Sequence, residues 1–243
     1  MRDYKTELEK RVEFIRTLLK ESGAKGIIFG NSGGKDSALV SIICKKACDN
    51  TVGVQMPCFS KRNFGEDLDD ALAVAEQFDI ETRTVNLTDV REVLLGAIGD
   101  EDNMSTLALA NIAPRLRMTT LYTIAANESR LVAGTGNRSE TYMGYFTKHG
   151  DGACDFNPII DLTVREIYEF LEYLGAPESI IKKAPSGGLF DGQTDEAEMG
   201  ITYEKIDNFL LYGEADKESL EIINRFHRRS EHKRRLPAFY EEK

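Results

Sequence analysis

The sequence has no C-x-x-C pair. Its four cysteines, Cys44, Cys48, Cys58 and Cys154, therefore lack the spacing of zinc-ribbon, iron–sulfur and thioredoxin-like sites. Cys44 and Cys48 stand four apart on a predicted helix, a spacing that packs rather than bridges. Such cysteine use fits a reducing compartment, and a cytoplasmic location is expected. No apolar run approaches the roughly 20 residues that span a bilayer, and the charged opening MRDYKTELEK is no signal peptide. Basic residues are also in deficit. Lys plus Arg number 31 against 41 Asp plus Glu, for a formal net charge of −10 and a pI near 5.0. Nucleic-acid binders run basic because phosphate neutralisation drives their affinity. Neither nucleic acid nor membrane is therefore expected as a partner. No internal repeat or low-complexity linker is present.

What is there is an ordinary globular composition, 41% apolar and 30% charged over 243 residues. It is enough for one large α/β domain with a self-sufficient core. Leu8, Val12, Ile15 and Leu19 fall at helical spacing, so an amphipathic helix opens the chain and Ser22-Gly23 closes it. Short strands are predicted at 26–29, 51–56, 80–85 and 130–133. Helices are predicted at 36–48, 66–78, 88–98, across the long segment 105–129 with Pro114 as start or kink, and at 163–174, 202–211 and 216–228. Residues 183–200 read as a loop and are the candidate lid. Strands alternating with helices imply a parallel sheet covered on both faces. Such sheets bind ligands beyond the carboxyl ends of their strands. Two Gly turns, 30–35 and 134–136, follow predicted strands and should face one crevice.

The first of these turns runs Gly30-Asn31-Ser32-Gly33-Gly34-Lys35-Asp36-Ser37. As a Walker A loop it fails twice: Phe29 stands where the first Gly belongs, and Asp36 follows Lys35 where Ser or Thr is needed. As a G-x-S-x-G nucleophile elbow it matches literally, with Ser32 as nucleophile and His227 or His232 as later partners. That elbow, however, is expected after several strands, not after the first. The third reading is a pyrophosphate loop, S-G-G-x-D-S. Two glycines let backbone N–H groups approach phosphate oxygens. The following helix N-terminus favours an anion, and Ser32 and Ser37 offer hydroxyls. Asp36 would repel bare phosphates, so it implies a bridging divalent cation, Mg²⁺. Such a loop holds the β,γ-pyrophosphate as a leaving group and exposes the α-phosphorus. The second turn, Gly134-Thr135-Gly136, lacks the third Gly of a Rossmann fingerprint. Glu140 just beyond it reads as a second Mg²⁺ ligand facing Asp36.

The loop 32–37 resembles that of the N-type ATP pyrophosphatases. Later blocks resemble one branch of them, the NAD synthetases: GTGNRSE at 134–140, GYFTKHGDG at 144–152, PSGGLFDGQTDE at 185–196, GITY at 200–203 and SEHKRRLP at 230–237. They run in order from residue 30 to the C-terminus. The resemblance implies a Rossmann-like, adenine nucleotide alpha hydrolase-like sheet filling one domain over 1–243. It implies ATP-dependent amidation of deamido-NAD by ammonia through an acyl adenylate, giving NAD, AMP and pyrophosphate. Residues Gly30, Asn31, Ser32, Gly33, Gly34, Lys35, Asp36 and Ser37 would then bind ATP, with Thr135 and Ser186. Asp36 and Glu140 would hold Mg²⁺. Arg115, Lys148, Asp155, His232 and Lys233 would bind deamido-NAD. Asp151 would bind or deprotonate ammonium. Taken alone, Arg115 and the run 225–235 read equally well as solvated basic faces.

The chain departs from the family at Val164, where a phosphate-binding Lys is usual; the neighbouring Arg165 lies about 100° round the helix. Gln55 replaces an Arg that some members carry near the nucleotide. Glutamine-dependent members add a separate glutaminase domain with a catalytic Cys. About 25 residues precede the first predicted strand, so no glutaminase domain is expected and free ammonia is the expected donor. The family also implies a homodimer, with the segment 105–129 as a contact surface.

Overall fold

Apolar spacing and turn residues divide the chain into four short strands and thirteen helices among the residues that the computed structural model describes, 2–59, 66–99, 103–182 and 195–240. Helix α1 (Tyr4–Ser22) is capped by Asp3, whose carboxylate accepts the amides of Lys5 and Thr6, and stops at Gly23 with φ 69°. There follow β1 (Gly26–Gly30), α2 (Lys35–Ala47), β2 (Thr51–Gln55), α3 (Glu66–Gln77), β3 (Glu81–Thr84) and α4 (Thr88–Ile98). The predicted long helix over 105–129 is in fact two, α5 (Thr106–Ala110) and α6 (Ile112–Glu128). Asn111 divides them by turning its amide back onto the Leu107 carbonyl at 2.8 Å. Pro114 lies in the first turn of α6, where its missing N–H breaks no intrahelical bond. The chain continues through β4 (Arg130–Ala133), α7 (Arg138–Met143), α8 (Val164–Leu174) and α9 (Glu178–Ile181). It ends with α10 (Asp195–Met199), α11 (Tyr203–Tyr212), α12 (Lys217–Arg229) and α13 (Glu231–Arg234). Part of the segment expected to be loop is thus the helix α10. Residues 183–194, which hold Ser186 and most of the candidate lid, lie outside the described residues.

The sheet is parallel in the order β3-β2-β1-β4. The chain runs outward from β1 through β2 to β3, then returns to place β4 on the other side of β1. Strand order therefore reverses between β1 and β4, where the register sets Phe29 beside Ala133. Ile27 and Phe29 face a core built from α1, α2, α3 and α8, with Ile15, Leu39, Ile43, Val74 and Phe170. Ile28, Val52, Val54 and Val132 face the other core, against Met118, Leu121 and Ala125 of α6. Gly53 keeps the intervening space open, since a Cβ there would meet the Phe29 ring at 2.8 Å. β3 is the partly exposed edge. A third core, of Met143, Val164, Met199, Ile201, Tyr203, Ile206 and Ile223, gathers α7, α8, α10, α11 and α12 beside the sheet. Among the described residues no helix is long and apolar enough to cross a membrane.

The C-terminal segment docks at the end of α7. Gly144 caps that helix with φ 67°, and Ser230 packs directly on it: a Cβ at 144 would lie 2.0 Å from the Ser230 Cβ. Arg234 donates to the Thr141 and Tyr142 carbonyls at 3.3 Å. Lys233 donates to the Gly144 and Phe146 carbonyls at 2.8 and 2.6 Å. Both the positive φ and the contact demand glycine. Gly144→Ala should therefore lower the unfolding free energy by about 2–4 kcal/mol, as left-handed strain and overpacking add. Urea denaturation reads this directly, and an unchanged midpoint would contradict the packing described.

Candidate active site

The two Gly turns leave the carboxyl ends of adjacent strands and open into one crevice of about 1110 Å³. On the first turn, Gly33 takes φ 71°, which reverses the chain into α2. Gly34, extended, is the α2 N-cap. Ser37 donates to the Gly34 carbonyl at 3.0 Å, and the Ser32 and Ser37 hydroxyls lie 3.1 Å apart. Gly30, Asn31, Ser32, Gly34, Lys35, Asp36 and Ser37 all line the crevice. Gly33 does not; it shapes the turn from behind. Asn31 is buried and tied to α3 through the Ala71 carbonyl at 3.4 Å. The arrangement presents the α2 N-terminus and the Ser32 and Ser37 hydroxyls, which together suit an anion.

An acidic cluster stands opposite. Thr135 and Glu140, from the second turn and α7, line the same crevice. Asn137 caps α7 in a capping box with Glu140 and donates its side-chain amide to Asp36 Oδ1 at 3.0 Å. Lys35 Nζ donates to Asp36 Oδ2 at 2.7 Å. Burial would lower the Lys35 pKa, but the carboxylates of Asp36 and Glu140 outweigh it and raise it. Glu140 is pushed well above the ordinary carboxylate range, first by burial and then by the charge of Asp36. Two carboxylates coupled in this way, beside a phosphate-type loop, form an oxygen donor set suited to Mg²⁺. That ion takes one or two carboxylates and fills its remaining positions with phosphate and water. Among the described residues no group of three or more His, Cys, Asp or Glu is arranged for a metal. An ion here would thus depend on oxygens brought by a phosphorylated ligand.

Basic side chains also line the crevice: Arg115, Arg117, Lys148, Arg225, Arg229 and Lys233, with His232. Arg115 Nε donates to the Lys148 carbonyl at 3.4 Å, and Lys148 Nζ to the His232 carbonyl at 2.9 Å. Helix α6, the 144–152 loop and the C-terminal segment are thereby joined. The Lys233 pKa is lowered by desolvation. Asp151 also lines the crevice; the residue as a whole is exposed, but its carboxyl turns inward to accept the Thr147 amide at 3.0 Å. Desolvation raises its pKa.

Asp155, the remaining residue expected at the substrate, is placed elsewhere. It is exposed and not among the crevice residues. Its carboxylate accepts the Val132 amide at 2.8 Å and the Tyr122 hydroxyl at 3.2 Å, so it secures β4 to α6. Val164 is also turned away from the crevice, packed in the third core. Arg165 does not take the place of the usual Lys: its guanidinium binds Asn208 at 2.8 Å and its amide binds Asp207 at 2.8 Å. Gln55 lines the crevice, held by the Leu68 carbonyl at 3.3 Å and by Thr84 at 3.1 Å. Sequence reasoning missed Asn137, and it gave no role to Asp195 or Tyr203. Asp195 lines the crevice and accepts the Tyr203 hydroxyl at 3.0 Å. Both lie in quoted sequence blocks, so order along the chain was the available signal.

Comparison with known proteins places this geometry in context. A sequence model of the NAD synthase family matches residues 7–242. The chain is 48% identical over 238 residues to the NH(3)-dependent NAD(+) synthetase of Carboxydothermus hydrogenoformans, covering 97% of each chain. Among solved structures it is similar to the NMN synthetase of Francisella tularensis, at TM-score 0.93 and 37% identity over 99% of both chains. It is also similar to the NH3-dependent NAD synthetase of Campylobacter jejuni in complex with nitrate. There the TM-score is 0.80 and the identity 32%, over 99% of this chain and 100% of that one.

The acidic cluster has a consequence for stability. An unfolded Glu ionises near pH 4.3, whereas folded Glu140 holds its proton to higher pH. Between those values the folded chain binds more protons than the unfolded one, so stability falls as pH rises. Glu140→Gln abolishes that slope. In chelator and without nucleotide, the variant should gain thermal stability over the parent progressively from pH 4 to pH 8. A parent that is the more stable of the two at pH 8 would contradict the electrostatics described.

Proposed function

The chain belongs to the NAD synthase family and is a ligase that joins ammonia to the nicotinate carboxyl of deamido-NAD with cleavage of ATP; we propose that its crevice does so in two steps. In the first, a carboxylate oxygen of the nicotinate attacks the α-phosphorus of ATP. The bond from that phosphorus to the β-bridging oxygen breaks, and pyrophosphate leaves. In the second, ammonia attacks the acyl carbon and loses a proton. AMP departs with the oxygen that came from the carboxylate. No enzyme nucleophile is required; positioning and charge neutralisation carry the chemistry.

The single observation that carries this reading is the meeting of two Gly turns across β1 and β4, in a crevice that Asp36 and Glu140 share with Arg115, Lys148 and Lys233. The loop 30–37 cradles the ATP phosphates through backbone amides, Ser32 and Ser37, while Gly33 sets the turn. Thr135 meets the nucleotide from the second turn. Ser186 is assigned to the nucleotide by resemblance alone. Asp36 and Glu140 hold Mg²⁺, which when bound neutralises phosphate charge at the leaving group. Arg115, Lys148, His232 and Lys233 bind the substrate phosphates and orient its carboxylate. Asp151 takes the proton released by ammonium, a role supported by its inward carboxyl and raised pKa. Asp155 supports the site from outside by fixing β4.

A second copy of the chain meets this one through the segment 105–129, where Leu107 stands 69% exposed. Sedimentation of the full chain should give a dimer, and a monomer at assay concentration would contradict this. A cytoplasmic setting suits the four free cysteines.

One observation favours a second acceptor. The structure titled NMN synthetase matches at TM-score 0.93, against 0.80 for the NAD synthetase of C. jejuni. Amidation of nicotinate mononucleotide is therefore tested beside the dinucleotide. Purified chain is incubated with ATP, Mg²⁺, ammonium and either acceptor, and products are read by mass spectrometry. NAD and AMP in equal amounts, with the dinucleotide giving the higher kcat/KM, are expected. A higher kcat/KM for the mononucleotide would make that compound the principal acceptor. AMP without an amide product would place the acceptor elsewhere.

A further inference from the structure

Asn137 does more than its position on the helix requires. It is fully buried and caps α7. Its Oδ1 accepts the Glu140 amide at 2.9 Å, and its own backbone amide donates to Glu140 Oε2 at 3.2 Å. A cap needs only that acceptor, which Ser, Thr or Asp supplies as well. The side-chain amide adds a donor, and this reaches 101 residues back along the chain to Asp36 Oδ1 at 3.0 Å. The turn that presents Asn137 is itself fixed: Asn157 donates to the Gly136 carbonyl at 2.8 Å and accepts the Ile159 amide at 2.9 Å.

One side chain is thus bonded both to Asp36 and to the backbone of Glu140, which come from different turns. The pairing of β1 with β4 brings the two turns together, and the Asn137 side chain fixes the carboxylates across them. The Asn137 amide accepts at one atom and donates from another, whereas a hydroxyl would have to serve both partners from one oxygen and a carboxylate has no proton to donate. Groups that hold metal ligands in this way set the affinity of the site as much as the ligands themselves.

We propose that Asn137 is the positioning residue that sets the separation of Asp36 and Glu140, and so the affinity of the site for a divalent cation with its nucleotide. The proposal rests on the assignment of those two carboxylates as the metal pair. Asn137 is buried and does not line the crevice; it acts through Asp36 and the α7 cap.

Replacement by another capping residue separates the two duties. Asn137→Ser and Asn137→Thr keep an acceptor for the Glu140 amide and lose the longer side-chain amide that donates to Asp36. The probe is Mn²⁺ binding in the presence of a non-hydrolysable ATP analogue, read from the free-ion electron paramagnetic resonance signal. Both variants should bind Mn²⁺ about ten-fold more weakly, at the lower end of the range for such outer groups. Their urea midpoints should stay near that of the parent, and KM for deamido-NAD at saturating metal should be unchanged. Asn137→Ala should lose both metal affinity and stability. Asp36→Asn, measured alongside, tests the metal assignment itself. Parent-like Mn²⁺ binding in the folded Ser and Thr variants, with binding lost in Asp36→Asn, would overturn the positioning role alone. Parent-like binding in Asp36→Asn would overturn the metal pair and the proposal with it.

Discussion

Parallel pairing of β1 with β4 sets Phe29 beside Ala133, and the functional geometry depends on that contact. The two strands are about a hundred residues apart in the chain. Each ends in a Gly turn, and their adjacency at the point where strand order reverses forces both turns into one crevice. The cores above and below the sheet hold the pair rigid: Ile27 and Phe29 are anchored on one face, Ile28 and Val132 on the other. Bridged by Asn137, Asp36 and Glu140 then meet without any nearby residue in sequence to join them.

The chain carries a net charge of −10, yet the crevice is lined by arginine, lysine and histidine drawn from α6, the 144–152 loop and the C-terminal segment. Lys35 is an internal counter-ion to Asp36. Under the proposed function, the basic side chains and the loop would hold a substrate rich in phosphate, leaving the carboxylates for a cation that shares the phosphate oxygens. The basic lining is itself conditional on packing. Lys233 and Arg234 are spent partly on backbone carbonyls at the end of α7, and that attachment places His232 at the crevice.

Much of this was legible in the residues. Alternation of strand and helix gave the parallel sheet, and Gly30 to Ser37 stood out because glycines, hydroxyls and one carboxylate fall at the spacing of a pyrophosphate loop. The short helices were not legible. α7, α9 and α10 have between four and six residues, too few for a periodic pattern, and packing holds them: α9 through Ile180 in the first core, α7 and α10 through Met143 and Met199 in the third. The break at Asn111 was hidden because its cause is a side-chain bond, not a glycine or a proline. Asp155 reads as a substrate ligand within its sequence block, but its carboxylate is committed to Val132 and Tyr122. Val164 reads as a lost phosphate contact, but it is a core residue whose neighbours are apolar. Asn137 was invisible for a further reason: its partner Asp36 is brought to it only by the pairing of β1 with β4.

The account stands on activation of the acceptor carboxylate at the α-phosphorus of ATP. Deamido-NAD labelled with ¹⁸O in its carboxylate, turned over with ATP, Mg²⁺ and ammonium, tests this in a single experiment. One labelled oxygen should appear in AMP and the other should remain in the amide of NAD. Label in pyrophosphate or inorganic phosphate, with none in AMP, would mean attack at another phosphorus and would contradict the arrangement of loop, carboxylates and basic side chains described here.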